Sequence, residues 1–169
     1  MIKRLGVVLV VTCVIGISTP ATAYAYDGNT AAQYAMNWAF GANPNYPGPF
    51  PSDCTNFASQ ALHEGGYPFV NVGDYSAYAW WADYDLLHWN WSNSWSVAND
   101  LRNFLLCTYP GGSDWGIECS GVGCYQDYVN DAYPGDILFY DWGDGLGWSH
   151  ATVEVAWQGT RRKRLLLAW

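Results

Sequence analysis

Apolar positions recur at helical spacing twice in the first 65 residues of the chain. Ala31, Tyr34, Ala35 and Trp38 fall on one face of a run from residue 31 to 40, which predicts a helix capped by Asn29 or Thr30 and stopped by Gly41. Phe57, Ala58, Ala61 and Leu62 make a second stripe, which predicts a helix over residues 54–64. Ser52 or Asp53 would cap it and Gly65-Gly66 would end it. Between them, residues 41–53 hold Pro44, Pro47, Pro49 and Pro51, so this segment reads as an extended loop with little freedom. A third helix is predicted over Val97–Leu106, with Leu101, Phe104 and Leu105 inward. Residues 107–134, rich in Gly and Cys, read as a loop or lid. The pattern then changes. Pro134-Gly135 marks a turn into a strand, Asp136–Tyr140, and a glycine-rich turn over 141–147 leads from Trp148-Ser149-His150 into a second strand ending near Trp157. Helices first and strands last, with no internal repeat, predict one α+β domain, its N-terminal helices packed on a small antiparallel sheet.

The first 25 residues stand apart. Lys3 and Arg4 precede 13 uncharged residues, Leu5–Ile17, followed by Pro20 and the small-residue stretch Ala21-Thr22-Ala23-Tyr24-Ala25. A basic start, a short apolar core and an A-x-A site form the plan of a signal peptide, cleaved after Ala23 or Ala25. The apolar run is shorter than the ~20 residues that cross a bilayer. The mature chain, 26–160 with a basic tail at 161–169, is therefore expected to be extracellular, possessing no membrane anchor.

Of the 169 residues, half are hydrophobic and 18% aromatic, including 11 Trp, which excludes a disordered chain or a coiled coil. Charge narrows the partners. Between residues 5 and 160 the sole cation is Arg102 against fifteen carboxylates, a balance of −14. So acidic a body repels phosphate backbones, so nucleic acid is not expected as a partner, and a cationic or mixed-charge polymer fits better. The tryptophans of segment 67–95 admit two readings, core filling or a stacking platform for sugar rings or peptide side chains.

Cys13 leaves with the signal, and Cys54, Cys107, Cys119 and Cys124 remain. In an oxidising compartment they allow two disulfides, or one among the later three with Cys54 kept for chemistry. The close pairs of a zinc ribbon are missing, and Asp141 and Asp144 lack the full spacing of a calcium loop, so no metal is expected. Cys54 opens the second predicted helix, where unpaired amides and the positive dipole end stabilise a thiolate and a developing oxyanion. Asp53 beside it opposes thiolate formation, and its expected task is capping.

Three histidines compete for the role of base. His63 lies nine residues along the same helix, hence on the opposite face and roughly 13.5 Å away along the axis. His88 sits among tryptophans, where no regular element is predicted to hold it. His150 begins an alternating strand, which presents an imidazole on a fixed face, and it is the candidate that remains strongest.

Several blocks of this sequence resemble one family. They are Asn43-Pro44-Asn45-Tyr46 with Phe50; Asp53-Cys54-Thr55-Asn56-Phe57-Ala58-Ser59-Gln60 before Gly65-Gly66; Trp95-Ser96-Val97 with Leu101; and Gly135–Asp141 leading to Ser149-His150-Ala151-Thr152. Together with the helix around Tyr34 and Trp38 they resemble, in order and over about residues 29–156, the bacterial putative amidase domain family, related to papain-like CHAP and cell-wall cysteine peptidases. The resemblance implies a papain-like cysteine hydrolase core. It also implies Cys54 as nucleophile, His150 as general base, no cofactor, and an amide of peptidoglycan or a related peptide as substrate. The chain is expected to act as a monomer.

Papain-like sites add a third polar residue on the strand after the histidine. The segment Arg161–Trp169 offers no neutral or acidic acceptor there, and Glu154 on the histidine's own strand is ~13 Å distant. The abrupt basic segment reads either as a truncated or frame-shifted end or as a solvated tail. Asn56 and Gln60 read as structural hydrogen-bonders, and Tyr46 as either a cleft wall or core. The leading expectation is a secreted thiol amidase or peptidase, and its rival a wall-binding module of the same fold without catalysis.

Overall fold

The computed structural model describes residues 26–105, 133–142, 145, 147–158 and 163–167. The signal segment, the lid expected at 107–134 apart from its last two residues, Cys107, Cys119, Cys124 and Asp144 lie outside the described residues.

The first helix, α1 (Gly28–Trp38), starts earlier than the pattern predicts because Asp27 takes the cap. Its carboxylate accepts the Asn29 N–H at 3.0 Å and the Thr30 hydroxyl at 2.7 Å, which draws both expected caps into the first turn. Gly28 lies directly against the Pro134 carbonyl and Gly135, where a Cβ on either glycine would collide with backbone. This close approach joins the start of α1 to the entry of the sheet. Tyr26 reinforces it by donating its hydroxyl to the Gly135 carbonyl at 2.6 Å.

The second helix, α2 (Cys54–Glu64), has the predicted limits, but it is more than an apolar stripe: every residue from Cys54 to Leu62 is buried. The reason is the aromatic segment that follows. Trp80 and Trp95 are fully buried and Trp81 nearly so, which places these three in the core. Trp80 and Trp95 cover the polar side of α2, where Ser59 and Asn56 bond to them. Ser59 Oγ accepts the Trp80 indole N–H at 3.1 Å and donates to the Trp95 carbonyl at 2.8 Å. Gln60 Oε1 accepts the Tyr34 hydroxyl at 2.5 Å.

Beyond α2 the chain forms a hairpin, β1 (Ala82–Asp85) and β2 (His88–Trp91), then a short α3 (Asn93–Ser96) and α4 (Ala98–Leu105). The hairpin was not predicted, and it corrects the view that no regular element holds His88, which opens β2 opposite Asp85. Leu101, Phe104 and Leu105 of α4 are buried as predicted.

The sheet has the order β3-β4-β5, all antiparallel, with β3 at Ile137–Asp141, β4 at Trp148–Gln158 and β5 at Lys163–Leu167. Residues 163–167, read from sequence as part of a tail, are thus a strand paired to β4. Pairing on both edges lets β4 be buried continuously from Ala151 to Val155. The helices α1, α2 and α4 pack against β4. Ile137, Ala151, Val153 and Val155 share one core with Ala31, Ala35, Ala58, Ala61 and Leu62. The fold is mixed α+β with helices on a small antiparallel sheet. Among the described residues no helix is long and apolar enough to cross a membrane.

Candidate active site

Cys54 is the first residue of α2 and carries a free, buried thiol, 3% exposed. The first hydrogen bond of the helix runs from the Phe57 N–H to the Asp53 carbonyl at 2.9 Å. The N–H groups of Cys54, Thr55 and Asn56 therefore lie outside the internal ladder of the helix. Asp53 does not cap them with its side chain, contrary to expectation. Its Oδ1 instead accepts the Phe50 N–H at 3.0 Å and the Asn56 amide at 2.8 Å, binding the proline loop to the helix start. The carboxylate is thereby turned to the loop, and the helix-start amides keep their capacity to receive negative charge.

Asn56 is the hub beside the thiol. Its Nδ2 donates to the Pro47 carbonyl at 2.7 Å as well as to Asp53, and its Oδ1 accepts the Trp95 indole N–H at 2.6 Å. These bonds use the whole side chain, so Asn56 and Gln60 hold structure, as the sequence suggested. Tyr46 is core: it is buried, and its ring stacks on Trp95 at 5.9 Å. Its hydroxyl donates to Glu64 Oε1 at 2.6 Å, so the 2.7 Å contact with His63 Nδ1 has the imidazole donating. His63 stacks on Phe69 at 4.2 Å, occupied at the far end of α2 from the thiol. Burial pushes its pKa below the ordinary value, with Glu64 opposing.

His150 lies in β4 directly opposite Tyr140. The register slips just before it, between Tyr140 and Asp141, so Ser149 is an extra residue in β4. Such a bulge re-aims the side chains next to it. Three rings then meet: Tyr140 and His150 at 5.8 Å, Tyr140 and Trp142 at 5.4 Å, Trp142 and His150 at 6.2 Å. Partial burial lowers the pKa of the imidazole, which favours its neutral, proton-accepting form.

The structure joins the elements that carry the two candidates, since α2 packs on β4. Leu62 and Tyr67, at the end of α2, share a cavity of about 80 Å³ with Asp136 and Ile137 at the start of β3. The Cys54 and His150 side chains are not hydrogen-bonded here. The partner of the thiol is the Thr55 hydroxyl at 3.8 Å. Sequence reasoning missed Tyr140 and Trp142 as neighbours of the histidine. Trp142 lies just past the end of β3, in the turn predicted from sequence, so strand alternation gave no signal for it. No cluster of His, Cys, Asp and Glu suited to a metal occurs among the described residues.

The fold and site define an α+β domain with a thiol at a helix start packed on a histidine-bearing strand. The chain belongs to the putative amidase domain family, whose model matches residues 25–168. The family's description points to hydrolase activity on amides. Two Bacillus subtilis (strain 168) proteins are similar, both described as uncharacterized. YhbB is 34% identical over 135 residues, which cover 79% of this chain and 38% of YhbB. YjcM is 28% identical over 133 residues, covering 79% of this chain and 27% of YjcM. The chain thus spans well under half the length of either relative. No solved structure matches it.

Proposed function

We propose that this chain is an exported, thiol-dependent amide hydrolase of papain-like plan, with Cys54 as nucleophile, His150 as general base and a peptide amide of cell-wall peptidoglycan as substrate. The observation that carries the reading is a free thiol on the first residue of α2, beside helix-start amides that no side-chain cap claims, on a helix packed against the strand of His150. Export rests on the leader pattern of residues 1–25.

In this scheme His150 takes the thiol proton and the Cys54 sulfur attacks the carbonyl carbon. The N–H of Cys54 helps receive the oxyanion. The imidazolium returns its proton to the departing amine, leaving an acyl-enzyme. His150 then deprotonates a water that attacks the acyl carbon, and the thiol is released with its proton restored. No cofactor enters these steps, and one chain supplies both groups. The thiol and imidazole must close up on substrate binding, as catalytic hydrogen bonds that are long in a resting enzyme do.

Iodoacetamide labelling with peptide mapping tests the nucleophile. Native Cys54 should be carboxamidomethylated at a rate that rises with pH, and His150→Ala should shift that profile. Labelling of Cys54 only after denaturation would refute the reading. The products released from purified peptidoglycan, identified by mass, show which bond is cut.

The near-complete burial of Cys54 favours a second reading, a wall-binding module without catalysis, because reactive thiols need access. Sedimentation with peptidoglycan separates the two. Binding without turnover, unchanged in Cys54→Ala, supports the module.

A further inference from the structure

We propose that Trp142 is a substrate-binding platform of the candidate site, and that it receives a cationic, ammonium-bearing side chain of the amide substrate. The inference rests on the reading above for the position of the reacting centre.

Trp142 is 65% exposed, although its ring is held in place. Tyr140 stacks beneath it with an interplanar angle of 14°, and Tyr140 is itself fixed by the Thr152 hydroxyl at 3.4 Å. One indole face is covered by Tyr140, which leaves the other to solvent, 6.2 Å from the His150 ring. Folding gains little from an indole left in water, whereas an oriented ring beside a candidate base offers a ligand a surface that needs no rearrangement.

Charge selects the ligand. The indole face is the negative pole of the ring, and among aromatic side chains it binds cations best. Asp141 precedes Trp142, in a chain that beyond residue 25 carries five cations against fifteen carboxylates, a balance of −10. An anionic ligand meets repulsion there. The chain makes the same contact internally across the turn. Arg102, the one cation between residues 5 and 160, sits over the Trp148 ring at 4.4 Å. That contact places Arg102 on Trp148, and the exposed Trp142 indole is left to a cation from outside.

The test reads binding rather than turnover. In ¹⁵N-labelled Cys54→Ala protein, the Trp142 indole N–H signal is assigned by its loss in Trp142→Phe. Acetyl-Ala-Lys-Ala-amide is titrated against it, alongside analogues bearing norleucine or Nε-acetyl-lysine. The lysine peptide should move the Trp142 signal and bind about 2- to 5-fold more tightly than the neutral analogues, the range of an exposed cation–π contact. That advantage should vanish in Trp142→Leu. An unmoved signal, or equal movement by norleucine, overturns the proposal, as does tighter binding of N-acetylglucosamine, which would make the ring a sugar platform. Because the Cys54→Ala chain cannot turn over, failure here leaves the hydrolase reading intact, and an inactive enzyme leaves the platform intact.

Discussion

Replacing Asn56 with alanine removes the side chain that joins three parts of the fold near the thiol: the proline loop, the start of α2 and the segment before α4. The Trp95 indole N–H and the Pro47 carbonyl belong to fully buried residues, and both lose their partner. Each unsatisfied buried group costs about 1–3 kcal/mol. Asp53 keeps its bond from the Phe50 N–H and adds little. The expected loss is about 3–5 kcal/mol, a large part of the 5–15 kcal/mol that holds a domain together. Urea unfolding followed by tryptophan fluorescence measures it, and the midpoint should fall by about 2 M. A double-mutant cycle with Trp95→Phe isolates the indole bond. Once Asn56 is gone, the second change should cost at least about 1 kcal/mol less than it does alone. A loss below about 1 kcal/mol for Asn56→Ala, or additive effects in the cycle, would refute the assignment of Asn56 as the hub.

Gly48 has φ +113°, and a Cβ there would stand 2.8 Å from Asn56 Nδ2 and 3.1 Å from Asp53 Oδ1. Gly48→Ala should therefore cost about 2–3 kcal/mol, and an unchanged melting temperature would contradict it. The tip of the β1–β2 hairpin places exposed Leu86 and Leu87 at φ +50° and +120°, a conformation suited to Asn-Gly. Leu86→Asn with Leu87→Gly should add about 1–2 kcal/mol, read as a rise in melting temperature, and a fall would count against the turn geometry. His63 and His150 should both titrate below the ordinary 6.5 in imidazole NMR spectra. The unfolded chain then binds more protons at these sites, so their contribution to stability falls as pH drops through 6.5 toward the folded values. His150→Gln should flatten part of that slope, whereas a steeper slope would reverse the sign of the shift.

The limits of α2 were legible because a Phe57-Ala58-Ala61-Leu62 stripe, a proline loop before it and a glycine pair after it all act locally. The inward face of α4 and the strand ending near Trp157 followed for the same reason. The start of α1 was not legible, since Asp27, Asn29 and Thr30 are all good caps and only the folded backbone shows which one bonds. The β1–β2 hairpin escaped because its turn is Leu-Leu, which carries no turn signal.

By itself the sequence determined the class, a helix-then-strand domain with an acidic body and a cysteine at a helix start, because period, caps and charge are properties of neighbours along the chain. Tertiary structure decided what those residues meet. It turned Asp53 from the helix amides to the proline loop, buried Trp80 and Trp95 on the polar side of α2, and made residues 163–167 a strand. It also gathered Tyr140, Trp142 and His150 into one group of rings. Each of those outcomes depends on contacts between distant segments, and the energy of such a contact exists only once the chain has closed the loop between them.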